Sequence, residues 1–160
     1  MVAAGGAAVQ SFAGTIGLGQ LDEDDGTLKS SLEGTTSAAS GGTPIATRVV
    51  CTSANVNIDV AADTLASGDR GTAPASGYAN EINYTAEMEV ALAGGTTDKV
   101  TYATAAASNA SATKTVGRLA ASGNNVTVRA YGFATKGAST NLLVAGDYSS
   151  TITVHVAPVA

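Results

Sequence analysis

Tryptophan is absent from this sequence, and cysteine and histidine occur once each, as Cys51 and His155. A single cysteine cannot close an intramolecular disulfide, and no histidine or cluster of basic residues sits beside Cys51 to hold it as a thiolate. It reads as a small, buried hydrophobe. One histidine also leaves little material for acid–base or nucleophilic chemistry, and no nucleophile elbow or His/Asp pairing accompanies the abundant serines and threonines. Charge is scarce as well: 8 basic residues against 13 acidic ones give a net charge of −5. The basic residues are scattered, so the stripe that a phosphate backbone requires is missing and nucleic acid is not an expected partner. No apolar run approaches the ~18 residues that span a bilayer. The opening "MVAAGGAAVQ" lacks the basic start and long apolar middle of a signal peptide. The glycine-rich "GLGQLDEDDG" does not follow a strand and open a helix, so it is no phosphate cradle. Neither an enzyme nor a cofactor is expected.

What is present is small residues and alternation. Sustained i, i+3, i+4, i+7 apolar stripes are missing, whereas β-branched residues and tyrosines recur with period two between turn-formers. At 160 residues the chain suits a single domain with one core. In "INYTAEMEVAL", Ile82, Tyr84, Ala86, Met88, Val90 and Leu92 fall on one side. Glu87 and Glu89 fall on the other, which reads as a solvated face of an antiparallel strand rather than a catalytic pair. "TPIATRVVC" places Ile45, Thr47, Val49 and Cys51 inward, and "NVNIDV" places Val56, Ile58 and Val60 inward. "DKVTYAT" gives a short strand around Val100 and Tyr102. "NNVTVRAYGFA" carries Val126, Val128 and Ala130 on one face before Tyr131, Gly132 and Phe133 break the alternation, the mark of a bulge. "STITVHVAP" closes the chain with Ile152, Val154 and Val156 inward and Thr151, Thr153 and His155 outward. Seven or so short strands with turns between them predict an antiparallel sandwich. Residues 31–42 read as a loop, and 65–80 as a long surface crossover.

Two features remain. Residues 7–21 are strand-like, with Ala8, Phe12, Ile16 and Leu18 on one parity and Gly14 between them. They are either an ordinary first strand or an arm that leaves its own domain to complete another. Asp22, Asp24 and Asp25 in "DEDDG" are a weak candidate for calcium through oxygen ligands, but the spacing fits no standard loop and a solvated turn explains the cluster. Three N-x-S/T sites, at Asn83, Asn109 and Asn125, arise readily by chance in so Thr- and Ser-rich a chain.

The ending "LVAGDYSSTITVHVAP" resembles the terminal motif of the spore coat protein U domain and of archaic chaperone–usher pilins. Ala145, Gly146, Tyr148, Thr151, Ile152, Thr153, Val154 and Val156 stand at the family's A-G-x-Y turn and final strand. "NEINYTAEMEV", "NVTVRAYGFATKG" and "TRVVCTSANVNIDV" resemble the family's preceding segments in the same order, over about residues 45–158. The family commonly carries an earlier cysteine paired with the one matching Cys51; this chain has none.

The resemblance implies an all-β fold of a particular kind: an incomplete immunoglobulin-like antiparallel β-sandwich, completed by a donor strand from a neighbouring subunit. It implies residues 1–20 as the extension and 21–160 as the pilin domain. The donor residues would be Ala8, Phe12, Gly14, Ile16 and Leu18. The acceptor groove would be lined by Ile152, Val154 and Val156 with Val126 and Val128. Implied partners are identical subunits in a head-to-tail filament, with a periplasmic chaperone and an outer-membrane usher during assembly. The implied location is the bacterial surface, as an extracellular fimbria for adhesion or biofilm reached through the periplasm. A reading from another class is a self-contained all-β coat, decoration or carbohydrate-binding module, in which residues 7–21 pair within their own sheet.

Overall fold

The computed structural model describes residues 12–68, 71–106 and 109–159. In chain order these form a one-turn helix, α1 (Ser30–Glu33), and then strands β1 (Gly41–Thr47), β2 (Asn55–Ala62), β3 (Leu65–Ala66), β4 (Tyr78–Ala79) and β5 (Glu81–Ala91). They continue through β6 (Thr97–Ala103), β7 (Ala112–Gly117), β8 (Val126–Thr135), β9 (Leu142–Leu143) and β10 (Ile152–Pro158). The chain is thus all-β, and every sheet contact between long strands is antiparallel; the two-residue pair β4–β9 alone runs parallel.

One sheet has the order β1–β8–β5, with β3 and β6 sharing the far side of β5. The other has the order β10–β2–β7. Their inner faces meet in one core, because the predicted alternation holds: Val56, Ile58 and Val60 of β2 are fully buried against Ile82, Ala86, Met88 and Val90 of β5 and Val126 of β8. The break at "YGF" is a bulge. Between Asn83 and Thr85 of β5, β8 advances from Ala134 to Tyr131, and Gly132 takes a φ of +63°, a backbone region that glycine enters without strain. Parity resets across it, so Phe133 and Thr135 point inward where continued alternation would have sent them out.

β7 has no counterpart in the sequence reading. Its "ATKTVG" holds one bulky apolar residue, Val116, which is buried while Thr113, Lys114 and Thr115 are exposed. A single inward side chain carries no detectable period. Asn125, one of the three sequons, is 2% exposed and structural. Its Oδ1 accepts from the Val49 N–H at 2.8 Å, and its Nδ2 donates to the carbonyls of Val49 and Ala120 at 2.7 and 2.8 Å.

The expected solvated face of β5 is corrected at Glu87, which is fully buried. Residues 28–40, which include the stretch read as a loop, 31–42, up to the start of β1 at Gly41, cover that face. Leu28 and Leu32 are buried, Thr35 Oγ1 accepts the Gly132 N–H at 2.8 Å, and Ser37 Oγ donates to Glu87 Oε1 at 2.7 Å. Lys99 Nζ at 3.1 Å, Arg129 Nη1 at 3.2 Å and the Tyr131 hydroxyl at 3.2 Å complete the shell, and Arg129 also reaches Glu89 at 3.1 Å. A buried carboxylate needs such partners.

Burial alone would push the Glu87 carboxyl up, but Ser37, Lys99 and Tyr131 outweigh it and hold it below its ordinary range. Glu81 behaves likewise: Thr64, the Gly71 N–H and Lys136 overcome burial and bring it from 4.5 to about 2. Both groups therefore bind protons less readily folded than unfolded, so their stabilisation is complete above the ordinary carboxylate value and is lost as pH falls toward the folded one. The melting temperature is expected to stay level above about pH 5.5 and to fall progressively in more acid solution. Circular-dichroism melts of the Glu81→Gln variant should show a shallower acid fall. An unchanged slope would remove Glu81 from this account.

Candidate functional site: an open rim between two sheets

The sandwich is closed along one side and open along the other. At the closed rim β7 lies against β6, and Lys114 pairs with Asp98 across the gap. Lysines at exposed edges also discourage further strands from adding there. At the open rim stand β1 and β10, which among the described residues pair only with β8 and with β2 respectively.

Backbone geometry fixes which groups β10 leaves unpaired. The Thr151 carbonyl accepts from Asp63 N–H at 3.1 Å, and Val159 N–H donates to the Asn55 carbonyl at 3.1 Å. In an antiparallel pair these directions alternate, so Thr153, His155 and Ala157 turn their amides and carbonyls toward β2. Ile152, Val154 and Val156 turn theirs to the open side, where no other described residue meets them. The same three side chains face the core yet are only half-buried, whereas Val60 and Ile58, opposite Val154 and Val156 on β2, are fully buried. Pro158 has no N–H to offer and ends the edge.

At the open rim, between β1 and β10, runs a cleft of about 1170 Å³. Tyr84, Val128, Ala130 and Phe133 floor it, with the Tyr84 and Phe133 rings stacked at 5.6 Å. The residues before β10 fix its upper end. Ser149 and Ala66 exchange backbone bonds of 2.9 and 3.0 Å, and the Tyr148 hydroxyl donates to the carbonyls of Val144 at 2.9 Å and Ala79 at 3.1 Å. Burial raises the Tyr148 phenol above its ordinary value, with the Asp22 charge adding to the effect, so it stays a proton donor. Gly146 is required here: a Cβ on it would stand 2.5 Å from Ser67 Oγ. The Tyr84 hydroxyl and Ser150 Oγ lie 2.8 Å apart, and Ser150 Oγ donates to the Asp63 carbonyl at 2.6 Å. β10 is thus held firmly at its start and along one edge.

Of the expected acceptor residues, Ile152 and Val154 line the cleft with Val128, and Val156 continues the strip beyond it. Val126 is fully buried at the far end of β8, opposite Val90 and Thr47, and lines nothing open. Ile45, Leu65, Tyr84, Ala130 and Phe133 were missed; the inward position of Phe133 depends on the bulge, whose parity shift was the available signal.

Among the expected donor residues, Ala8 lies outside the described residues. Phe12, Gly14, Ile16 and Leu18 form no strand, which corrects the strand-like reading of 12–21. No backbone hydrogen bond joins residues 12–20 to another described residue. They are not detached either. Ile16 and Leu18 are half-buried against the core beside β1, worth on the order of 1 kcal/mol each. Phe12 remains 38% exposed at the mouth of the cleft.

The "DEDDG" cluster does not converge. Asp25 Oδ1 is taken by the Thr27 hydroxyl and N–H, which hold its pKa below the usual carboxylate value, and Glu23 accepts from Ser30. Among the described residues no three acidic, histidine or cysteine groups are placed to hold a metal ion. A second hollow, of about 450 Å³, lies under residues 71–80. Its floor, Glu81, is saturated by Thr64, Gly71 and Lys136, so it reads as loop scaffolding. No helix among the described residues is long and apolar enough to cross a membrane. Compared with family models, curated proteins and solved structures, the chain has no match.

The alternation along β10 is directly measurable. In the free chain the amides of Ile152, Val154 and Val156 should exchange with solvent on the order of a hundredfold faster than those of Thr153, His155 and Ala157. Residue-resolved hydrogen exchange by NMR reads this, and equal protection of both sets would mean that β10 has a second neighbour.

Proposed function

We propose that this chain is a structural subunit that polymerises by donor-strand exchange into an extracellular filament, of the archaic chaperone–usher kind that residues 45–158 resemble. On this reading the domain is an incomplete immunoglobulin-like sandwich, and its missing strand comes from the extension of another copy. One observation carries the reading: the Ile152, Val154 and Val156 edge is apolar, unpaired among the described residues and set beside a cleft that exposes core. An added strand would satisfy both kinds of exposure at once. Each backbone bond gained contributes about 0.5–1.5 kcal/mol net. A donor segment and an acceptor edge are different surfaces of one chain, so their contact is heterologous and grows an open filament. A periplasmic chaperone and an outer-membrane usher are the implied handlers before assembly, and adhesion or biofilm formation at the bacterial surface the implied use.

A second reading has its own observation. Because Ile16 and Leu18 sit on their own body, the chain also fits a self-contained coat, decoration or carbohydrate-binding module. Size-exclusion chromatography, thermal melting and electron microscopy of the purified chain separate the two.

Two variants test the filament. Deletion of residues 1–18 should abolish filaments while leaving a foldable body, because it removes the donor and spares the sandwich. Val154→Lys should do the same from the acceptor side, its half-exposed side chain reaching solvent while placing a charge in the strand's path. Filaments of normal length from either variant, seen by electron microscopy, would rule the proposal out.

A further inference from the structure

The contact between residues 14–18 and β1 is closer than loose packing requires. A Cβ on Gly14 would stand 2.8 Å from Ile45 Cδ1. One on Gly41 would stand 2.6 Å from the Phe133 ring and 3.1 Å from Leu18 Cδ2. One on Gly42 would stand 2.6 Å from the Gly17 carbonyl oxygen and 2.7 Å from Ile16 Cγ2. Glycines on both partners therefore let two backbones meet with Ile16 and Leu18 seated beside β1. The bulge of β1 makes the seat: between Gly41 and Ile45 its register with β8 shifts, and Gly42 takes a φ of +65°. Yet this fitted contact carries no ladder bond to a described residue.

Resting on the filament reading, we infer that Gly14–Leu18 is a releasable latch: in the free subunit it occupies the β1 rim of its own cleft and delays entry of a second copy's strand until it lets go. A permanent member of the sheet would be held by backbone bonds, and a segment that is always free would have no matching seat. Glycine fit without a ladder gives a specific but inexpensive closure. Its position is the one an autoinhibitory contact requires, since residues 12–22 line the same cleft as residues 143–155 of the acceptor wall.

The test uses the full chain as freshly prepared monomer, with chymotrypsin cleavage at Phe12 and Leu18 and light scattering as separate readouts. Gly42→Ala meets the Gly17 backbone, and Gly14→Val meets Ile45 from the arm side, where no left-handed backbone is strained. Both variants are expected to be cut about tenfold faster at Leu18, and Gly42→Ala, which leaves every donor residue unchanged, to assemble with a shorter lag. The Gly14→Val melting temperature serves as the control for an intact body. If wild-type Leu18 is cut as fast as in the variants while filaments form normally, the latch is overturned and the filament reading stands. Looser arms with a longer lag would also overturn it, by showing that seating aids assembly. Looser arms with no assembly in any chain would bring down the filament reading, and the latch with it.

Discussion

A backbone amide taken from water must find a partner, and among the described residues that rule is met along only one edge of β10. Ile152, Val154 and Val156 place both their side chains and their backbone groups at the unsatisfied boundary: the side chains reach toward a core that does not quite cover them, and the peptide groups toward the open side. The two deficits coincide because a residue in the non-hydrogen-bonded register of an antiparallel pair turns its peptide groups away from its neighbour. The remaining architecture sustains this arrangement. The Tyr148, Ser149 and Ser150 bonds fix where β10 begins, and the seven-residue pairing with β2 fixes its direction.

The two rims of the sandwich show how differently an edge can be treated. At the β6–β7 rim, Asp98 and Lys114 put charge into the gap and Lys99 stands at its border. A strand adding there would have to bury those charges, at a cost that no ladder of neutral bonds offsets. At the β1–β10 rim the side chains flanking the gap are Ile45, Ile152 and Val154, and the outward positions of β10 carry threonine and a single histidine. Glu87 belongs to the same logic on the outer face. Its buried carboxylate ties β5, β6 and β8 to residue 37 and commits that face to its own chain.

Much of the fold was legible because period-two alternation survives wherever one face is wet. β2, β5, β8 and β10 all follow it, and the break at Gly132 announced the bulge. β7 was illegible for the opposite reason: with Val116 as its one bulky apolar residue, there is no period to see. Glu87 misled because alternation states which way a side chain points, not what another segment lays over it. Its burial is decided by Ser37, fifty residues away. The candidate site was legible along β10, where the inward residues are consecutive in parity. Val126 shares that parity but lies at the closed end, and sequence contains no coordinate along the groove.

Residues 12–21 show a deeper limit. Parity assigned Phe12, Ile16 and Leu18 to one face of a strand, which presupposes that a strand exists. Gly14 on the arm and Gly42 on β1 allow the backbone to approach β1 without pairing with it, and a segment so placed can keep its inward residues inward with no ladder at all. Side-chain alternation and backbone pairing are independent quantities, coupled only where a neighbouring edge is in hydrogen-bonding reach. At β10 the side chains are directed and the bonds are missing because no described residue lies alongside its outer edge. Along residues 12–20 the neighbour is present and the bonds are missing because the approach is glycine on glycine. Those two half-satisfied elements border the same cleft, and each lacks what a strand between them would supply.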